Sequence, residues 1–237
     1  MHNKKLAVLI DADNAQPSVA QELFAEIAKY GTASVKRAYG DWTTPNLGPW
    51  KDWLHKLAIQ PMQQFSYVSR KNATDSALII DAMDLLHAGG LDGFCIVSSD
   101  SDFTRLATRL RESGMEVFGF GQHKTPEAFV SACDKFVFLE ILRGADKKSE
   151  PQPVTLSAET ILRPAVQDST REDGWAALAN VGHLAAKSHP SFDPRNYGYQ
   201  KLGQLVRDLP FLEVKQVTGT DGAATHLYVR IRDAISR

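Results

Sequence analysis

The chain has little cysteine, no long apolar run and almost no net charge, and each shortage removes a class of protein. Two cysteines occur in 237 residues, Cys95 inside an apolar run and Cys133 in a short helical stretch. That usage fits a reducing compartment rather than a disulfide scaffold, and both are expected to be plain core thiols. No segment approaches the roughly 20 apolar residues of a membrane span. The basic start MHNKKLAVLIDADN leads into an apolar run that Asp11 cuts after about six residues, short of a signal-peptide core. These features predict a cytoplasmic protein with no membrane partner. Lys plus Arg number 27 against 28 Asp plus Glu, so no global basic field advertises a nucleic acid, and such a partner must be held by local patches. None of the seven histidines stands in a zinc spacing, and His55, His87 and His123 are expected at the surface or satisfied in the core. There is no Gly-rich phosphate loop, no Ser-His-Asp arrangement, no internal repeat and no low-complexity tract. Gly119-Phe120-Gly121 lacks the rest of a dinucleotide fingerprint.

What is present is enough apolar sequence, 43% of residues, to bury a sizeable core and divide into a larger and a smaller domain. From residue 5 to about 142, short β-rich runs alternate with segments of helical period, which predicts an α/β fold with a mainly parallel sheet sandwiched by helices. Strands are expected at Leu6 to Ile10, Ala33 to Tyr39, Met62 to Tyr67, Gly93 to Ser98, Met115 to Phe120 and Phe136 to Leu139. Helices are expected at Pro17 to Tyr30, Pro49 to Leu57, Asp75 to His87, Asp102 to Glu112 and from about Pro126. Thr74 is the expected N-cap of the third, and Gly89-Gly90 its end. The stretch ADKKSEPQPVTLS reads as a linker, giving domains at 1–143 and 157–237 joined by 144–156. The second domain predicts helices at Ala158 to Gln167, Gly174 to Lys187 and Tyr199 to Leu209. Two strands follow, Phe211 to Val217 and Thr225 to Ile231, around the turn Thr218 to Gly222. Three helices and a hairpin make a small winged-helix α+β plan, which serves nucleic-acid binders and protein-interaction modules alike.

Ligands of an open α/β sheet sit outside the carboxyl ends of its strands. Asp11 and Asp13 follow the first strand at once, Asp100 and Asp102 follow the Gly93 strand in the same way, and Asp75 starts a helix whose entry loop lies on that edge. If the first strand and the Gly93 strand are neighbours, Asp11, Asp75, Asp100 and Asp102 converge on one pocket. Such a cluster is costly unless a cation neutralises it, and Mg²⁺ or Mn²⁺ suits these hard oxygen ligands. One or two such ions can activate water and stabilise the attacking and leaving oxygens of a phosphodiester displacement. Asp100 or Asp102 alone is better explained as a cap or turn residue. Asp13, Asp81 and Asp84 look ordinary, and Asp81 lies about 240° round the helix from Asp75. Two other readings stay open. Asp11-Ala12-Asp13 mimics the Asp-x-Asp of haloacid dehalogenase-like phosphatases, although Ala15 stands where that motif wants Thr or Val. A non-catalytic RNA-binding or scaffold protein is the third.

The ordered set Leu9-Ile10-Asp11-Ala12-Asp13-Asn14, Arg37 to Trp42, Lys71 to Asp75 with Leu78 and Asp81, and Ser98-Ser99-Asp100-Ser101-Asp102-Phe103 resembles the NYN domain, a PIN-like (LabA-like) family, over about residues 5 to 140. The resemblance implies a metal-dependent ribonuclease fold in which Asp11, Asp75, Asp100 and Asp102 hold Mg²⁺ or Mn²⁺, with Asn14 supporting the first acid and the phosphate. Ser99 stands where many members carry Gly. Asn196-Tyr197-Gly198-Tyr199, Lys201-Leu202 and Leu205, with Phe211 and Leu227-Tyr228-Val229, look like a LOTUS (OST-HTH) domain, which implies binding of RNA or of a protein partner.

Single-stranded RNA is held by basic groups along phosphates and by aromatic faces on bases. Lys36, Arg37, Tyr39, Trp42, Lys51, Arg70, Lys71 and Arg105 are the candidates near the acids, with Trp42 expected on a loop and Trp50 and Trp53 in the core. Arg195, Tyr197, Lys201 and Arg207 are the candidates in the second domain. The expectation is therefore a Mg²⁺- or Mn²⁺-dependent ribonuclease with RNA as substrate. A protein partner through the LOTUS module and a second copy of the chain are further candidate partners.

Overall fold

Lys5–Asp11 (β1) is apolar from Leu6 to Ile10 and lies at the centre of a six-stranded sheet. The structure, a computed structural model, describes residues 3–65, 73–143, 156–218 and 225–232. The chain divides into two units, Met1–Asp146 and Lys147–Arg237.

In the first unit β1 is joined by Thr32–Gly40 (β2), Gln60–Gln63 (β3), Gly93–Val97 (β4), Glu116–Gly121 (β5) and Lys135–Phe138 (β6), in the order β3-β2-β1-β4-β5-β6. Every adjacent pair is parallel. Helices Ala20–Ile27 (α1), Lys51–Lys56 (α2), Ala73–Ala88 (α3), Thr104–Glu112 (α4) and Glu127–Ala132 (α5) cover the sheet. Side chains alternate between faces along a strand, so β1 and β4 serve two cores at once. Leu6, Val8, Ile10, Cys95 and Val97 pack with α1 and Trp50, while Ala7, Leu9, Phe94 and Ile96 pack with α3, α4 and α5. Burial on both faces is why these strands read as unbroken apolar runs. Both cysteines are buried free thiols; burial pushes both thiols up, Cys133 to about 12.

The elements follow the expected order with shifted ends. A 3-10 turn at Pro17–Val19 precedes α1, and another at Pro45–Trp50 precedes α2. The extended run after Met62 stops at Gln63, and its expected end at Tyr67 lies outside the described residues. Thr74 is not an N-cap: it lies inside the first turn of α3, and its hydroxyl donates to Asp13 Oδ2 at 3.0 Å. α3 already begins at Ala73, so Thr74 is a helical residue rather than the half-in flanking residue of a cap. Gly89, at φ 73°, follows the end of α3 as expected.

The second unit contains Ala158–Ser169 (α6), Ala176–Ala177 (β7), Leu178–Ser188 (α7), Leu202–Asp208 (α8), Leu212–Thr218 (β8) and Thr225–Ile231 (β9). Its antiparallel sheet runs β7-β9-β8. Ser157 caps α6, its hydroxyl accepting the Thr160 N–H at 3.1 Å. The helix expected from Gly174 begins only at Leu178, because Gly174 (φ 78°) makes a turn and the next residues pair with β9. The helix expected from Tyr199 likewise begins at Leu202, after a 3-10 turn at Pro194–Tyr197 that Asp193 caps and Gly198 (φ 85°) ends. The central part of the hairpin turn, 219–224, and all but the last residue of the expected linker lie outside the described residues. Among the described residues no helix is long and apolar enough to cross a membrane.

Candidate metal centre

From β1 the chain order runs outward through β2 and β3 on one side, and from β4 through β5 and β6 on the other. The reversal falls between β1 and β4, and the crevice at the carboxyl ends of such a pair is where open α/β sheets bind ligands. Asp11, the last residue of β1, is fully buried there. Its carboxylate accepts Asn14 Nδ2 at 2.7 Å, Ser98 Oγ at 2.7 Å and the Asn14 N–H at 3.3 Å. Burial raises its pKa despite these three hydrogen bonds, which pull the other way. Ser98, directly after β4, also accepts the Asp100 N–H at 3.1 Å, so one hydroxyl joins the ends of the two central strands. Asp100 in turn caps the following 3-10 turn, accepting the Asp102 N–H at 2.9 Å.

Asp75, half-buried in the first turn of α3, faces this edge. Asp75, Asp100 and Asp102 each bring a carboxylate oxygen to within 4.8 Å of the other two. Desolvation lifts the Asp75 carboxyl to about 6, helped by the negative charges of Asp11, Asp100, Asp102 and Asp13. Of the four acids expected to converge, three therefore share one opening. The fourth, Asp11, is held by Asn14 and Ser98 yet close enough to act on Asp75. The donor set is all hard oxygen, and oxygens around one Mg²⁺ at about 2.1 Å stand no more than roughly 4.2 Å apart. The cluster needs only a small side-chain adjustment to close on such an ion, and a cation removes the repulsion that lifts Asp75. The residues fit a divalent cation. Asn14 supports Asp11, and Ser99, at the position where many NYN members have Gly, accepts the Gln122 N–H at 2.9 Å.

The basic and aromatic candidates fare differently. Arg37 is not a free cation: it pairs with Asp81 of α3, and the hydroxyl of the fully buried Tyr39 donates to the same carboxylate. Trp42 lies in the loop after β2, as expected, half-buried against the core with its indole N–H donating to Met62 O at 3.1 Å. Trp50 is buried and Trp53 packs against the core, as expected. Lys36 Nζ donates to Leu57 O at 2.7 Å, whereas Lys51 and Arg105 are exposed. Arg70 and Lys71 lie outside the described residues. In the second unit Arg195 is held by Asp193 at 2.7 Å. Tyr197 packs on the core, its hydroxyl donating to Leu156 O at 3.1 Å. Neither is a free contact. Arg207 bonds Gln216 at 3.2 Å, and Lys201 is exposed. Sequence reasoning missed Trp175, which has Lys215 at 5.2 Å and Arg230 at 4.7 Å from its ring centroid. Those residues are far apart in the chain, so no local pattern reveals them.

A fully parallel sheet of this order, with carboxylates at its switch point, is a PIN-like α/β domain, and the second unit is a winged-helix module. The NYN domain family matches residues 5–140 and the OST-HTH/LOTUS domain matches residues 154–222. The chain belongs to the NYN domain family and carries an OST-HTH/LOTUS domain. Solved structures similar to it include a protein of unknown function from Vibrio parahaemolyticus, 19% identical, covering 57% of this chain and 92% of that one at a TM-score of 0.48. An uncharacterized protein of Nitrosomonas europaea is 26% identical, covering 40% of this chain and 92% of that one at a TM-score of 0.32. A protein from Chromobacterium violaceum is 35% identical, covering 37% of this chain and 94% of that one at a TM-score of 0.29. No curated protein matches the chain.

Proposed function

We propose that this protein is a Mg²⁺- or Mn²⁺-dependent ribonuclease that hydrolyses phosphodiester bonds at the β1–β4 switch point, with the LOTUS module binding RNA or a protein partner. The observation that carries the reading is the convergence of Asp75, Asp100 and Asp102 within 4.8 Å of one another, beside the buried Asp11. NYN and LOTUS domains in one chain support a nuclease or RNA-binding role. When bound, a divalent cation acidifies water and offsets the charge of a phosphodiester. Asp75, Asp100 and Asp102 would hold it. Asp11 places a fixed carboxylate behind them, and Asn14 and Ser98 keep that carboxylate oriented. Free, buried thiols are compatible with the cytoplasm we assign to it.

The phosphatase reading loses support here, since a nucleophilic Asp11 would have to leave Asn14 and Ser98 and emerge from full burial. The test is cleavage of single-stranded and structured RNA and of DNA with Mn²⁺ or Mg²⁺, comparing the parent with Asp11→Asn and Asp100→Asn. The expected result is metal-dependent cleavage of RNA that falls at least about a hundredfold in each variant, the size of effect seen when one group that stabilises a transition state electrostatically is removed. Equal activity in all three proteins sinks the reading. RNA binding without any cleavage favours a scaffold instead.

A further inference from the structure

α3 carries Asp75 to the other acids, so whatever sets the rotation of this helix about its own axis decides whether Asp75 faces them. Burial sets it only loosely. In α4 the apolar stripe is clean, with Leu106, Ala107 and Leu110 buried and Arg105 and Arg109 exposed. In α3 Leu78 and Ala82 are fully buried, yet Ile80, about 200° round the helix from Leu78, is 62% exposed. Turning the helix would trade one large apolar side chain for another at the core. It would also carry Asp75 away from the negative charges of Asp11, Asp100 and Asp102 that act on it. Like-charge repulsion thus opposes the observed setting, and burial defends it weakly.

Two polar ties hold α3, at different heights and on different sides. In its first turn the Thr74 hydroxyl donates to Asp13 Oδ2, just past β1, at 3.0 Å. Farther along, about 240° round from Asp75, Asp81 accepts from Arg37 and from the hydroxyl of Tyr39, both on β2. Tyr39 is fully buried and lies opposite Asp11 in the β1–β2 register, so this tie joins α3 to the strand pair that carries Asp11. Arg37 and Asp81 are themselves largely buried. An ion pair so placed adds little stability over apolar residues of the same size, and its best-attested use is to select one register among several.

We propose that Asp81 is a positioning residue: held by Arg37 and Tyr39, and together with the Thr74–Asp13 bond, it fixes the rotation of α3 so that Asp75 joins Asp100 and Asp102 in holding a divalent cation. The inference rests on the metal-centre part of the reading above and not on what the centre cleaves.

The test measures Mn²⁺ binding to the full chain without RNA, from the electron paramagnetic resonance signal of the free ion, beside urea unfolding in EDTA. A triple variant, Arg37→Met with Tyr39→Phe and Asp81→Leu, replaces the whole network by apolar side chains of comparable size. It leaves no buried partner unpaired and does not change the net charge. It should unfold at the parent's urea concentration or above, yet bind Mn²⁺ about tenfold more weakly, the loss that follows when the groups orienting a metal ligand are removed. Thr74→Val keeps the shape but not the hydroxyl and should weaken Mn²⁺ by about threefold, while Thr74→Ser stays parent-like. If the triple variant folds poorly, the Thr74 pair decides. Parent-like Mn²⁺ affinity in the folded triple variant or in Thr74→Val overturns the proposal, as does a parent that binds no Mn²⁺. A chain that follows the expected pattern but cuts no RNA loses only the ribonuclease reading. One that cuts RNA with Mn²⁺ while the triple variant keeps the parent's affinity loses only the role of Asp81.

Discussion

Ser98 shows how much of this centre rests on one small side chain. Its hydroxyl donates to Asp11 and accepts the Asp100 N–H, so losing it would unhook both strand ends. Nothing local marks it, because serine after a strand is an ordinary turn residue. The acids themselves were legible, since their offsets from apolar runs put them on one edge. The ion pair between Arg37 and Asp81 was not, because Asp81 lies 44 residues away on α3. Asp75 carries a prediction. Its folded-state pKa, about 6, lies above the ordinary 3.8. The stability linked to protonating it is therefore fully present below about 3.8 and lost as pH rises through about 6. In EDTA the unfolding midpoint of the parent relative to Asp75→Asn should fall across that window. Mg²⁺ or Mn²⁺, binding the ionised cluster, should reverse the fall at neutral pH. A parent and variant that keep the same difference from pH 4 to pH 7 would contradict the assignment.

At the scale of elements, the strands were readable because burial on both faces leaves unbroken apolar runs, and the helices because their period survives in Leu23, Ile27, Leu106 and Leu110. The ends were less readable. Thr74 looks like a cap, but α3 already runs from Ala73, and Gly174 looks like a helix start but turns the chain into β7. In the second case pairing with β9 decides where the helix begins. Gly121, the last residue of β5, is packed tightly against the end of β4. A Cβ there would stand 2.6 Å from Ser98 O and 2.6 Å from Thr125 Oγ1. Gly121→Ala should push the end of β5 away from Ser98, costing about 1–3 kcal/mol of stability in urea unfolding. RNA cleavage should fall by about tenfold, because small displacements of positioned groups are expensive in catalysis. Parent-like stability and rate would show that this contact does not hold the site.

At the scale of the whole molecule, the two units have separate cores, and the sequence between them is rich in charge and proline. We expect two calorimetric transitions for the full chain, each matched by residues 1–143 or 157–237 expressed alone. Residues 1–143 should keep the metal dependence of RNA cleavage while binding long RNA more weakly. One cooperative transition, or loss of all cleavage in residues 1–143, would show that the units depend on each other.

The sequence by itself determined the alternation of strands and helices, the winged-helix plan of the second unit and which carboxylates stand at strand or helix ends. These are local matters of periodicity, capping and chain order. Only the tertiary structure decided that β1 and β4 are neighbours, that Asp75, Asp100 and Asp102 face one opening with Asp11 held behind them, and that Arg37, Trp42, Arg195 and Tyr197 are already committed to other groups. Strand order and side-chain pairing depend on contacts between residues far apart in the chain, where burial and hydrogen bonding choose among partners that local sequence cannot rank.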